Sequence, residues 1–210
     1  MKKTPSPIIY AGLILALISI GYFFLDRPIS LVAYELRDTF WHTLAVNVSK
    51  FSNHFVTNVL VAAGLVYASW DGIKNGLTHR SKSIIYICAT VACAMIIGDT
   101  FKELCGRARP PLLFEKGIYG FFPMSGGYLH HSFPSGHTLR IFSSMTAVGF
   151  ILPRLRVPAL TLAVLVGASR VFALKHYPSD VLFGAAIGIT TAVCGWHLFA
   201  SALSDKSSRN

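Results

Sequence analysis

Charge is what this sequence has least of. Only 13% of its 210 residues are Asp, Glu, Lys or Arg, against roughly 25% in a soluble domain. Apolar residues make up 53% and the mean hydropathy is +0.54, so the chain reads as an integral membrane protein. Acid is scarcer still, with 9 Asp and Glu against 19 Lys and Arg. Those basic residues lie between apolar runs rather than in one solvated, aromatic-interleaved patch, which argues against nucleic acid as a partner. Cys88, Cys93, Cys105 and Cys194 form no Cys-x-x-Cys and imply no disulfide framework. Repeats, low-complexity tracts and a soluble second domain are absent. No small-x-small cleavage site precedes Asp26. The apolar run 8–25 also exceeds the roughly 7–15 residues of a signal h-region, so it is read as a retained first span.

What the chain does have is apolar runs near the roughly 20 residues needed to cross a bilayer. They cover 8–25, 55–70, 83–101, 138–152, 157–174 and 181–202. The expected fold is all-α, a polytopic membrane protein with six transmembrane helices and one membrane-embedded domain over 1–210. Its catalytic core would span 83–202. Residues 26–54 form an outer interfacial segment, with an amphipathic pattern over 29–50 that suits a helix lying on the surface. Six spans place the N-terminus, 71–82, 153–156 and the C-terminal tail on one side. That side carries Lys2, Lys3, Lys74, Arg80, Lys82, Arg154, Arg156, Lys206 and Arg209 against Asp71 and Asp205. Such a bias marks the cytoplasm, so the opposite loops face the periplasm of a cytoplasmic (inner) membrane protein. Gly184-x-x-x-Gly188 on the last span is a small-residue face for close helix packing.

Three polar sets fall on that outer side. Lys102 and Arg109 follow the third run, seven residues apart and able to point the same way. Basic residues at a span end also snorkel to lipid headgroups, and Arg107, between them, is read that way. Pro134-Ser135-Gly136-His137 opens the fourth run. There Ser135 and Gly136 would offer backbone N–H groups to an anion at a helix N-terminus, and His137 titrates near neutrality; a capping Ser beside an interfacial His is the plainer alternative. Ser169-Arg170 precedes His176 and Asp180, which are four apart. A carboxylate so placed can hold one imidazole nitrogen protonated and leave the other as nucleophile. Arg140, three residues after His137 within an apolar run, needs a partner. It is read as a ligand for the headgroup or a second phosphate, or as a snorkelling residue or partner of Asp99. Adjacent His130 and His131 make no clustered metal-ligand set, so no metal and no cofactor is expected.

Taken in order, Lys102…Arg109-Pro110, Pro134-Ser135-Gly136-His137 and Ser169-Arg170…His176…Asp180 resemble the signature of the type-2 phosphatidic-acid phosphatase family, relatives of acid phosphatases and vanadium haloperoxidases. No position departs from it. The resemblance implies that His176 attacks phosphorus to give a phosphohistidine, oriented by Asp180. It implies that His137 protonates the leaving oxygen and then activates water, while Lys102, Arg109, Arg170, Ser135 and the Gly136 amide hold the phosphoryl oxygens. The implied partner is a phosphorylated membrane lipid such as phosphatidate, phosphatidylglycerol phosphate, undecaprenyl pyrophosphate or lipid A. A lipid-to-lipid phosphotransferase, a vanadate-dependent haloperoxidase and a non-catalytic lipid carrier are the alternatives. Activity should be bell-shaped in pH, because one histidine acts protonated and the other unprotonated.

Overall fold

The computed structural model describes residues 7–204, all of whose regular elements are helical. Lys2, Lys3, Asp205, Lys206 and Arg209, which entered the charge bias, lie outside the described residues. Helix α1 (Pro7–Ile20) runs through a π-helical turn, Gly21–Leu25, directly into α2 (Asp26–Glu35). Helix α3 (Phe40–Ser49) and a 3₁₀ turn lead to α4 (His54–Asn75), followed by α5 (His79–Cys105) and the short α6 (Pro110–Lys116). Helices α7 (Gly136–Ile151), α8 (Arg156–Phe172) and α9 (Pro178–Ser204) complete the chain. The amphipathic segment is thus two helices, and the first of them continues the opening helix.

Local chemistry sets the boundaries. The Asn53 side chain caps α4 by accepting from the Phe55 amide at 2.8 Å, satisfying one of the orphan donors of a helix start. Thr78 does the same for α5, and its hydroxyl donates to Asp71 of α4 at 2.5 Å, which clamps the turn between the two helices.

Helix α7 is the hub, packed by α5, α8 and α9. Glycines allow the approach. A Cβ on Gly184 would stand 2.8 Å from the Ser135 carbonyl, and one on Gly188 would stand 2.6 Å from that of Leu139. The small-residue face of the last helix is therefore filled from within the chain. Among the described residues, five helical stretches are long and apolar enough to cross a membrane: Ile8–Glu35, Phe40–Asn75, His79–Cys105, Pro153–Phe172 and Pro178–Ala200. The remaining apolar run, the fourth in chain order, is α7; it has 16 residues, about 24 Å of helix, and begins no earlier than Gly136. It is short because its neighbours, not lipid, surround it.

Candidate active site

Helix α5 ends where Gly106 turns left-handed (φ 57°) with the Phe122 carbonyl standing where a Cβ would be, a place only glycine fills without strain. The chain beyond it is held extended by backbone bonds. The Ala108 amide donates to the Gly120 carbonyl, that of Arg109 to Leu129, and that of Ser132 to Arg107. These bonds fix Arg107 and Arg109 against the 118–132 loop. On the opposite side, the amides of Lys175 and His176 both donate to the Arg170 carbonyl at 3.1 and 3.2 Å, folding His176 back beneath the end of α8. The Ser135 amide donates to the Asp180 carbonyl at 3.0 Å, joining the starts of α7 and α9.

These joints bring Lys102, Arg109, Gly136, His137, Arg140, Arg170 and His176 to the wall of one cavity of about 330 Å³, together with His54, Tyr128 and His131. Four of its walls are cations. Arg109 is firmly placed: Nε donates to the Tyr128 carbonyl (2.8 Å), Nη1 to the Lys175 carbonyl (3.0 Å) and Nη2 to that of His131 (2.9 Å). With Nη1 also 3.4 Å from the Tyr128 hydroxyl, one of its five N–H groups remains for a ligand. Arg170 is the opposite case, buried, with Nε unpartnered and no side-chain hydrogen bond to protein among the described residues. Lys102 bonds Asp99 at 2.7 Å; Asp99 makes no hydrogen bond to Arg140 but acts on its charge. Arg140 instead donates through Nη2 to the Ser52 carbonyl (3.1 Å) and to Nδ1 of His137 (3.3 Å).

His176 is buried and its Nδ1 lies 2.7 Å from the Ser132 carbonyl. A carbonyl only accepts, so Nδ1 carries the proton and Nε2 keeps its lone pair. Burial, and then the guanidinium groups of Arg109 and Arg170, hold its pKa well below the ordinary imidazole value. The side chain is thus neutral at physiological pH.

Three expectations are corrected. Asp180 does not hydrogen-bond His176: the separation is 3.8 Å, and the orienting acceptor is the Ser132 carbonyl. Its Oδ2 instead accepts from the Ser132 hydroxyl (2.6 Å) and the Tyr177 amide (2.8 Å), so it holds the residue that holds His176. Ser135 lies outside the cavity wall: its amide is taken by Asp180, and its buried hydroxyl accepts from Thr138 at 2.9 Å. Arg107 does not snorkel. It is 0% exposed, pairs through Nη1 with Asp180, and through Nη2 with Asp26 at 2.6 Å. Ser179 bridges the pair, its amide and hydroxyl donating to Asp26 at 2.9 and 2.6 Å, and the rings of Tyr22, Tyr119, Phe121 and Tyr177 surround the guanidinium. Burial opposes the Arg107 charge, yet Asp180 and Asp26 raise its pKa above the ordinary arginine value.

Asp26, Arg107, Ser132 and Ser179 therefore form a buried network behind the candidate site that pattern reading missed. The signal for the first two was available: an acid ending one apolar run and an unassigned Arg inside a motif at the end of another.

The PAP2 superfamily profile matches residues 83–203, which contain all three polar sets. The chain belongs to the PAP2 superfamily. Among PAP2 relatives, lipid A 1-phosphatase of Rhizobium etli is 33% identical over 141 residues, covering 67% of this chain and 53% of that protein. Phosphatidylglycerophosphatase B of Bacillus subtilis is 24% identical over 184 residues, 78% of each chain. The chain spans about half the length of the lipid A 1-phosphatases of Rhizobium that it matches. Its fold is shared with the crystal structure of a PAP2-type phosphatidylglycerolphosphate phosphatase from Bacillus subtilis, at TM-score 0.65 and 21% identity over 97% of this chain and 98% of that one. LpxE of Aquifex aeolicus matches at TM-score 0.61 and 18% identity, over 85% and 98%.

Proposed function

We propose that this protein is a membrane lipid phosphatase that releases phosphate from a lipid headgroup through a covalent phosphohistidine. The observation that carries the reading is the pairing of His176 Nδ1 with the Ser132 carbonyl, which leaves Nε2 unprotonated in a cavity walled by cations. Lys102, Arg109, Arg170 and the Gly136 amide would hold the phosphoryl oxygens. Charge stabilisation and positioning dominate phosphoryl transfer, so these groups and one nucleophile suffice. His176 Nε2 attacks phosphorus and the P–O bond to the lipid breaks. His137, on the leaving side, is protonated on both nitrogens once the anionic substrate is bound and Arg140 has turned from its Nδ1 to that anion; it gives the leaving oxygen a proton and becomes neutral. His137 then takes a proton from water as it cleaves the N–P bond, and phosphate departs. Asp180, Asp26 and Arg107 act as positioning residues: none is among the residues that line the cavity, and together they fix Ser132 and so the His176 tautomer.

We read α7 as the sixth span, which puts 71–82 and 153–156 on one side and the cavity on the other. Lys74, Arg80, Arg154 and Arg156 bias the first side toward the cytoplasm, so the site opens toward the periplasm.

The test is phosphate release by the purified full chain from phosphatidate, phosphatidylglycerol phosphate, a prenyl diphosphate and lipid A. Release from at least one, lost in His176→Ala, is expected; a His176→Ala protein with full activity would falsify the assignment. Transfer to another lipid is separated by following labelled phosphate into lipid rather than solution.

A further inference from the structure

Arg140 lines two cavities. One is the cation-walled site; the other, about 210 Å³, lies between α4, α5 and α7 and is lined by Leu60, Val61, Ile87, Val91, Ile141 and Met145, with Ser52 and Thr57 nearby. Among the described residues Arg140 is the one that lines both, so it borders a polar chamber on one side and an apolar one on the other. It is 4% exposed, its Nε has no partner, and only Nη2 makes hydrogen bonds, to Ser52 and His137. No acidic side chain bonds it among the described residues. Asp99 acts on its charge from beyond hydrogen-bond distance and is already bonded to Lys102; a buried cation so incompletely compensated is costly, and here it completes no structural joint that a neutral donor could not make.

Position supplies the reason. In the proposed mechanism the leaving oxygen lies opposite His176, on the side of His137, and Arg140 Nη2 is 3.3 Å from His137 Nδ1. A group attached to the leaving oxygen therefore meets Arg140 before it enters the apolar chamber. We propose that Arg140 is a leaving-group subsite for a second anion, which makes a lipid diphosphate the preferred substrate class. The terminal phosphate occupies the Lys102, Arg109 and Arg170 site, the proximal phosphate lies against Arg140, and the first carbons of the lipid enter the apolar chamber. His176 Nε2 forms a bond to the terminal phosphorus while the bond from that phosphorus to the bridging oxygen breaks. That oxygen takes the His137 proton and leaves as part of a lipid monophosphate, and water then releases orthophosphate from His176.

This inference rests on the phosphatase reading. The test compares kcat/KM of the wild type, Arg140→Gln and Arg140→Lys on three lipids. These are a prenyl diphosphate, phosphatidylglycerol phosphate (its second anion a glycerol away) and phosphatidate (no second anion). Arg140→Gln should lose about 10- to 100-fold on the diphosphate, the scale of one charged hydrogen bond, several times more than it loses on phosphatidate, and Lys should recover part of it. A selective loss on phosphatidylglycerol phosphate instead would assign the subsite to a remote phosphodiester and overturn the diphosphate preference. Equal losses on all three would reduce Arg140 to a support for His137 and overturn the subsite. Release from none by the wild type would overturn the phosphatase reading and the inference with it. Should the variants fail to fold, thermal stabilisation of the wild-type chain decides: methylenediphosphonate should stabilise more than orthophosphate at equal concentration, and equal or reversed shifts overturn the proposal.

Discussion

Arg107 and Arg170 are both buried arginines on the polar side of the same helix bundle, and they are opposites. Arg107 has two carboxylates, a serine and a shell of aromatic rings. The Arg170 side chain has no hydrogen bond to protein among the described residues and an orphaned Nε. The first is part of the architecture, because every charge it meets belongs to the protein. The second is unfinished, and an oxyanion entering the cavity would complete it. For a buried cation, the identity of its partners therefore separates structure from binding more sharply than burial or sequence position does.

Substitution should break the contrast in opposite ways. Arg107→Gln leaves Asp26 and Asp180 buried without their shared cation, so the folded state should lose about 3–5 kcal/mol, read as a fall in Tm or in folded yield. Adding Asp26→Asn to that variant should recover part of the loss, and a purely additive double variant would mean that the two do not couple. Arg170→Gln should instead cost about 10²–10³ in phosphate-release rate while leaving Tm unchanged or higher. An Arg170 variant that unfolds would erase the distinction. The smallest effect concerns pH. The folded-state pKa of His176 is depressed, so below the unfolded value of about 6.5 the unfolded chain binds the proton first and stability falls as pH falls. Melting followed from pH 8 to pH 5 should therefore show a declining Tm, weaker in His176→Asn. The same depression puts the acid limb due to His176 in the activity profile well below about pH 6.5.

How much was legible follows the same line. Lys102, Arg109, Gly136, His137, Arg140, Arg170 and His176 were found because spacing and residue type survive in a one-dimensional record, and the cavity gathers all of them. The partner of His176 was not legible, because it is a main-chain carbonyl and any residue at 132 has one. Arg107 was misread because its two acids lie 81 and 73 positions away, while the nearby sequence offered lipid headgroups. Asp26-Arg27-Pro28 looked like the end of a span. Once Asp26 is neutralised by Arg107 and Ser179 it no longer needs water, and the helix continues to Glu35. Ser135 was assigned to the ligand because a helix start attracts anions, but the backbone of Asp180 reached its amide first.

The family profile begins at residue 83, yet a carboxylate at 26 supplies half of the negative charge around Arg107 and bonds the Ser179 amide at the head of the last helix. The charge balance behind the site thus extends beyond the segment that defines the family. A fragment cut to residues 83–203 would keep each motif residue and lose the counterion behind them, and any transplant of this site onto another bundle must bring a first helix with it.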